Sequence, residues 1–132
     1  LICFYNTYHY HYLHVYGNDD GTKKYLGIIT CDKYDASEPN GDPIDVTGVE
    51  RVYLKVDFDG AALQFYYAVE ENQWLPIGPV LDGSILSDDY VEDAAVRYRA
   101  CFTGAFVGLG CQDLSGRNLH ADFDWFEYKE LS

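Results

Sequence analysis

Between Tyr8 and Tyr16 the chain contains only tyrosine, histidine, leucine and valine, in the order Tyr8-His9-Tyr10-His11-Tyr12-Leu13-His14-Val15-Tyr16. Aromatic and β-branched side chains crowd the preceding turn of a helix but pack well on a pleated surface, so this run is expected to be a strand. Alternation places Tyr8, Tyr10, Tyr12 and His14 on one side and His9, His11, Leu13 and Val15 on the other. Both sides are apolar or aromatic, as in a strand covered on two faces. Leu1 to Tyr5 precedes it as a strand, with a turn at Asn6-Thr7. The turn cluster Gly17-Asn18-Asp19-Asp20-Gly21 leads into a returning strand from Lys23 to Cys31, which makes a hairpin.

The pattern continues downstream. In Arg51 to Phe58, Val52, Leu54, Val56 and Phe58 alternate with Tyr53, Lys55 and Asp57, the signature of a half-buried antiparallel strand. Asp59-Gly60 turns it into Ala62 to Val69, and Glu70-Glu71-Asn72 turns again before Trp74, giving a meander. Pro76, Gly78 and Pro79 are expected to end that strand. Asp32 to Asp45 reads as a polar loop. Leu81 to Ala100 is the longest acidic loop, with one or two helical turns expected from Tyr90 to Ala100. Short strands separated by turn signals argue for an all-β antiparallel sandwich.

A length of 132 residues suits one domain with one core. The formal net charge of -13 would repel a phosphate backbone or an anionic membrane surface, so nucleic acid and membrane are not expected partners. No apolar run reaches the roughly 20 residues a membrane helix needs. Cys3, Cys31, Cys101 and Cys111 lack Cys-x-x-Cys spacing and sit in apolar runs, so they are read as reduced, buried thiols.

The most distinctive stretch is near the end. Ala105, Val107, Leu109 and Cys111 share one face of an apolar run interrupted by Gly104, Gly108 and Gly110. A polar connector from Gln112 to Asn118 follows. Beyond it Phe123 and Trp125 fall on one face, with Asp122 and Asp124 on the other. Two strands joined as a hairpin or a crossing between sheets are expected from Cys101 to Tyr128.

Phe102-Thr103-Gly104-Ala105-Phe106-Val107-Gly108-Leu109, then Cys111-Gln112-Asp113-Leu114, then Ala121-Asp122-Phe123-Asp124-Trp125-Phe126-Glu127-Tyr128 resemble the end of the C-terminal concanavalin A-like domain of glycoside hydrolase family 43 β-xylosidases. Trp74 to Asp82 and Ile85 to Tyr90 resemble the same domain in the same order. The resemblance implies a jelly-roll sandwich whose first strands precede Leu1, so residues 1–132 are expected to be a partial C-terminal domain of a larger polypeptide. It also implies an N-terminal five-bladed propeller that holds the catalytic carboxylates and inverts the anomeric centre, with no catalytic residue in this chain. Phe102 matches an aromatic residue that such a domain lends to the rim of the propeller's pocket, where xylo-oligosaccharide binds. A homo-oligomer, xylosidase action with arabinofuranosidase as a side activity, and a cytoplasmic location complete what the family leads one to expect.

Other residues invite chemistry of their own. His9 and His11 project from one side of a strand, but a closed zinc site needs four ligands and a catalytic one three, so hydrogen-bonded histidines are the expected reading and no metal is assigned to them. Asp122 and Asp124 are weak calcium candidates, since a single carboxylate pair is a weak site, and capping of backbone donors is their other reading. Loop carboxylates such as Asp88 and Asp89 are read as solvated charges. Phe102 has a second reading, as a strand residue packed in the core. Tyr53 and Tyr66 could stack on pyranose rings, and with them comes the alternative of a free-standing carbohydrate-binding module.

Overall fold

The computed structural model describes residues 1–94 and 101–131. In chain order the strands are β1 (Ile2–Asn6), β2 (His9–Gly17), β3 (Lys24–Asp32), β4 (Asp35–Ser37), β5 (Ile44–Asp45), β6 (Tyr53–Asp59), β7 (Ala62–Ala68), β8 (Leu75–Asp82) and β9 (Phe106–Gly108). A 3-10 turn (Gly83–Leu86) and helix α1 (Asp88–Ala94) lie between β8 and β9. The larger sheet has six strands in the order β4-β3-β2-β1-β9, with β5 also paired to β3, and the smaller has three, β6-β7-β8. Every pairing is antiparallel.

The inner faces follow the alternation of the sequence. From the larger sheet come Leu13, Leu26 and Ile28, and from the smaller Leu63, Phe65, Ile77 and Leu81; all seven are buried. Val46 joins them, and Ile85, Leu86 and Val91 from the 3-10 turn and α1 belong to the same core cluster. Each such side chain taken out of water contributes about 1.5–3 kcal/mol. The β2–β3 hairpin runs without a register shift from His9↔Asp32 to Gly17↔Lys24, as the turn cluster between the two strands implied.

The aromatic strand is buried along one face only, from His9 to Leu13, and Val15 on that same face is exposed. His9, His11 and Leu13 are buried, whereas Tyr10, Tyr12, His14 and Tyr16 are half-buried. Their rings line up along the strand with centroid separations of 5.7, 4.7 and 4.7 Å, so contact between neighbouring rings replaces part of the cover that a packed layer would give.

Several expectations are corrected. Pro76, Gly78 and Pro79 lie inside β8 rather than ending a strand. Strand β8 is at the edge of its sheet, where a residue without an N–H does little harm, and the pairing with β7 shifts between Leu63 and Phe65. Gly78, at φ 69°, lies in that irregular stretch, and a Cβ there would approach Ile28 Cδ1 to 2.8 Å.

Of the two strands expected from Cys101 to Tyr128, only the three-residue β9 forms, pairing with β1 through Cys3↔Val107. Residues 119–131 join no ladder, and Phe123 and Trp125 are exposed. Alternation specifies a strand only where a neighbour accepts its backbone groups, and no described strand lies beside this arm. The acidic loop is also more ordered than expected: its helix begins at Asp88 rather than Tyr90, while the expected helical stretch from 95 to 100 lies outside the described residues. Cys3 and Cys31 are buried, but Cys111 is exposed.

Candidate functional site

Phe102 sits on the loop between α1 and β9 and is 78% exposed, so the reading of it as a core residue is overturned. Its backbone is tied down. The Gly104 amide donates to Asp88 Oδ1 at 2.9 Å, and the same oxygen accepts the Tyr5 hydroxyl at 2.6 Å. Tyr5 is 6% exposed on β1, so the loop is linked through one carboxylate to the core of the large sheet.

Asp88 is held in turn by its helix. Ser87 Oγ accepts the Tyr90 amide at 3.2 Å, and the Val91 amide closes on Ser87 O at 3.0 Å, the arrangement of an N-capping serine. The Tyr5 hydroxyl first, then the Gly104 amide, keep the Asp88 carboxyl below its ordinary value. Asp88 is therefore an ionised acceptor at neutral pH and not the solvated loop charge expected from sequence. A serine-aspartate pair opening a short helix was its only local signal; its partners are remote in the chain.

A second feature lies at the start of β6. Tyr53, Trp74, Trp125 and Phe126, with Glu71, Asn72 and Glu127, line an open cleft of about 450 Å³. Tyr53 stands edge-on to Trp74 at 6.4 Å and is tilted at 6.4 Å from Trp125. The arm is fastened there by Arg51, whose guanidinium pairs with Asp124 at 2.8 Å. Tyr53 thus belongs to a group of rings, and Trp74 and Trp125 are members that sequence reasoning did not single out. Tyr66 differs: Lys55 Nζ lies 4.2 Å from its ring centroid and covers one face.

The remaining candidates do not converge. His11 Nε2 meets the Asp82 carbonyl at 2.9 Å, so it must carry the proton, and Nδ1 then accepts from Thr30 Oγ1 at 3.0 Å. His9 Nδ1 lies 3.7 Å from Asp32 Oδ1, its ring edge-on to Tyr90 at 5.7 Å. Burial pushes both imidazoles below their ordinary pKa, which keeps them neutral. Asp124 is paired with Arg51, whereas Asp122 is 3.8 Å from His120 Nε2 in the exposed arm. Among the described residues no group of three or more His, Cys, Asp or Glu side chains could hold a metal ion, and no helix is long and apolar enough to cross a membrane.

Comparison with known proteins places these features in context. Residues 1–129 match the family described as the beta xylosidase C-terminal concanavalin A-like domain. The chain is 36% identical over 131 residues to a beta-xylosidase of Bacillus subtilis and 35% identical over 134 residues to xylosidase/arabinosidase 43B of Humicola insolens. It covers 98% and 99% of itself in these matches but only 24% of each relative. Among solved structures, a xylan beta-1,4-xylosidase from Bacillus halodurans C-125 superposes with a TM-score of 0.75 at 33% identity, covering 88% of this chain and 21% of that one.

Proposed function

Because the chain belongs to the family of C-terminal concanavalin A-like domains of β-xylosidases, we propose that it is a non-catalytic sandwich that braces a catalytic domain and lends Phe102 to the rim of its active site. The catalytic domain in this reading precedes the sandwich in the same polypeptide, carries the carboxylates that split the glycoside, and is the five-bladed propeller of the family resemblance. The substrate class is xylo-oligosaccharide.

The observation that carries the reading is a phenyl ring left 78% exposed on a loop whose backbone is fixed to the core. An apolar ring presented in this way excludes water and offers a face to a sugar without being able to move a proton. Bracing draws support from the arm, where Phe123, Trp125, Phe126, Tyr128 and Leu131 are all exposed. Exposed apolar side chains gathered in one segment mark an interaction surface; the catalytic domain or a second copy would cover them.

The test is kinetic. In the full-length protein, Phe102→Ala should raise KM for xylobiose by about 3- to 10-fold, the size of one aromatic contact, or shift the preference among short substrates. Unchanged kinetics for xylobiose and longer oligomers would remove the rim role. The cleft at Tyr53, Trp74 and Trp125 favours a second reading, sugar binding by the sandwich itself: rings suit pyranose faces, and Asn72, Glu71 and Glu127 suit hydroxyls. Titrating this chain with xylo-oligosaccharides separates the two, since a binding module saturates and a bracing domain does not.

A further inference from the structure

We infer that Asp88 is a positioning residue for Phe102, with Tyr5 as the anchor that aims its carboxylate; this rests on the rim reading of Phe102. Only Thr103 separates Phe102 from Gly104, so wherever the Gly104 amide is held, the phenyl ring can reach only a small volume. The hold is a charge-assisted bond, Gly104 N to Asp88 Oδ1 at 2.9 Å, of the kind roughly twice as strong as a neutral one.

The carboxylate itself has little freedom. Tyr5 donates to it from within the core at 2.6 Å. It stands in the first turn of α1, and that helix is locked by buried Val91 and by Tyr90, whose hydroxyl donates to both Asp32 oxygens at 2.9 and 3.0 Å. Strand β1, helix α1 and the Phe102 loop therefore meet on one oxygen atom.

The described part of the loop has further ties, which leave the Gly104 amide as its one bond to α1. Cys101 packs against the core cluster, and Thr103, though exposed, hydrogen-bonds with Tyr5 as well as through its hydroxyl to the neighbouring Gly104 carbonyl at 3.3 Å. Gly104 has φ 69° and, among the described residues, nothing within 4 Å of where its Cβ would be, so packing around its α-carbon does not hold it. If the carboxylate is removed, the loop keeps its link to β9 but loses its register against α1, and the ring sweeps a wider arc. A side chain acting on substrate from the rim is sensitive to such displacement.

The experiment uses the full-length protein. Asp88→Ala should raise KM for xylobiose in the same direction as Phe102→Ala, by about 3- to 10-fold, the size of one aromatic contact, with kcat within about 2-fold. Asp88→Asn should restore part of the difference, because its carbonyl oxygen still accepts. Combining Asp88→Ala with Phe102→Ala should add nothing to the effect of Phe102→Ala, since both act through one ring. Tyr5→Phe, which leaves the core volume nearly intact, should shift KM the same way by less and speed hydrogen exchange at Gly104.

A changed Phe102→Ala beside an unchanged Asp88→Ala overturns the inference and leaves the rim reading standing. Additive effects in the double variant overturn it too. If Phe102→Ala changes nothing, both fall together. Should Asp88→Ala fail to fold, Asp88→Asn and Tyr5→Phe decide: wild-type KM with wild-type exchange at Gly104 in both rejects the positioning role.

Discussion

The body of the sandwich and its C-terminal arm obey different rules, although their sequences look alike. In the body, Val56 and Phe58 alternate with Lys55 and Asp57, and β6 forms a continuous ladder with β7 from Tyr53↔Ala68 to Asp59↔Ala62. In the arm, Phe123 and Trp125 alternate with Asp122 and Asp124 in the same way, yet no ladder forms and the rings are exposed. Alternation states which face a strand would bury; a neighbour is required for the burial to occur. Among the described residues the body has paired strands beside it and the arm has none, so apolar side chains stabilise one and advertise a surface on the other.

That contrast can be broken by mutation. Phe65 is fully buried between the sheets, and Phe65→Ala should cost about 3–5 kcal/mol through lost burial and a cavity, read from the midpoint of urea unfolding of this chain. A cost below about 1 kcal/mol, the scale of a surface change, would mean the body is less well packed than its geometry implies. Trp125→Ala, a change of similar chemical size, should shift the same midpoint by no more than about 0.5 kcal/mol. A larger loss would show that the arm is already part of the folded unit.

The smallest effect is an acid titration confined to the connector that leads into the arm. Ser115 Oγ and N, at 2.5 and 2.8 Å, and the Leu119 amide at 3.0 Å hold the Asp113 carboxyl down to about 2, from an ordinary 3.8. The folded value lies below the unfolded one. The turn therefore keeps its full contribution above pH 3.8 and loses it as pH falls toward 2. The Leu119 amide resonance should move with a midpoint near the lower value, without global unfolding in that window; a midpoint at the ordinary carboxylate value would show that the turn does not hold.

How much could be read in advance follows the same division. The β2–β3 hairpin, β6 and β7 were legible because their pairing partners are adjacent in sequence and the turns between them carry Gly, Asn and Asp. Strand β8 was misjudged, because Pro76 and Pro79 are strand breakers unless the strand lies on an edge, and edge position belongs to the sheet as a whole. Phe102 was legible as a candidate through its motif but not as an exposed ring. Asp88 reads as solvated from sequence since Tyr5 and Gly104 reach it from opposite directions along the chain, 83 and 16 residues away.

By itself, the sequence determined an all-β sandwich, the inward faces of its strands and the family, because these rest on side-chain periodicity and on motifs contiguous in the chain. Only the tertiary structure decided that Asp88 ties the Phe102 loop to the core, that Tyr53 joins Trp74 and Trp125 around a cleft, and that the last apolar segment is left uncovered. Each of those depends on which remote groups meet, and a short-range pattern carries no record of distance across a fold.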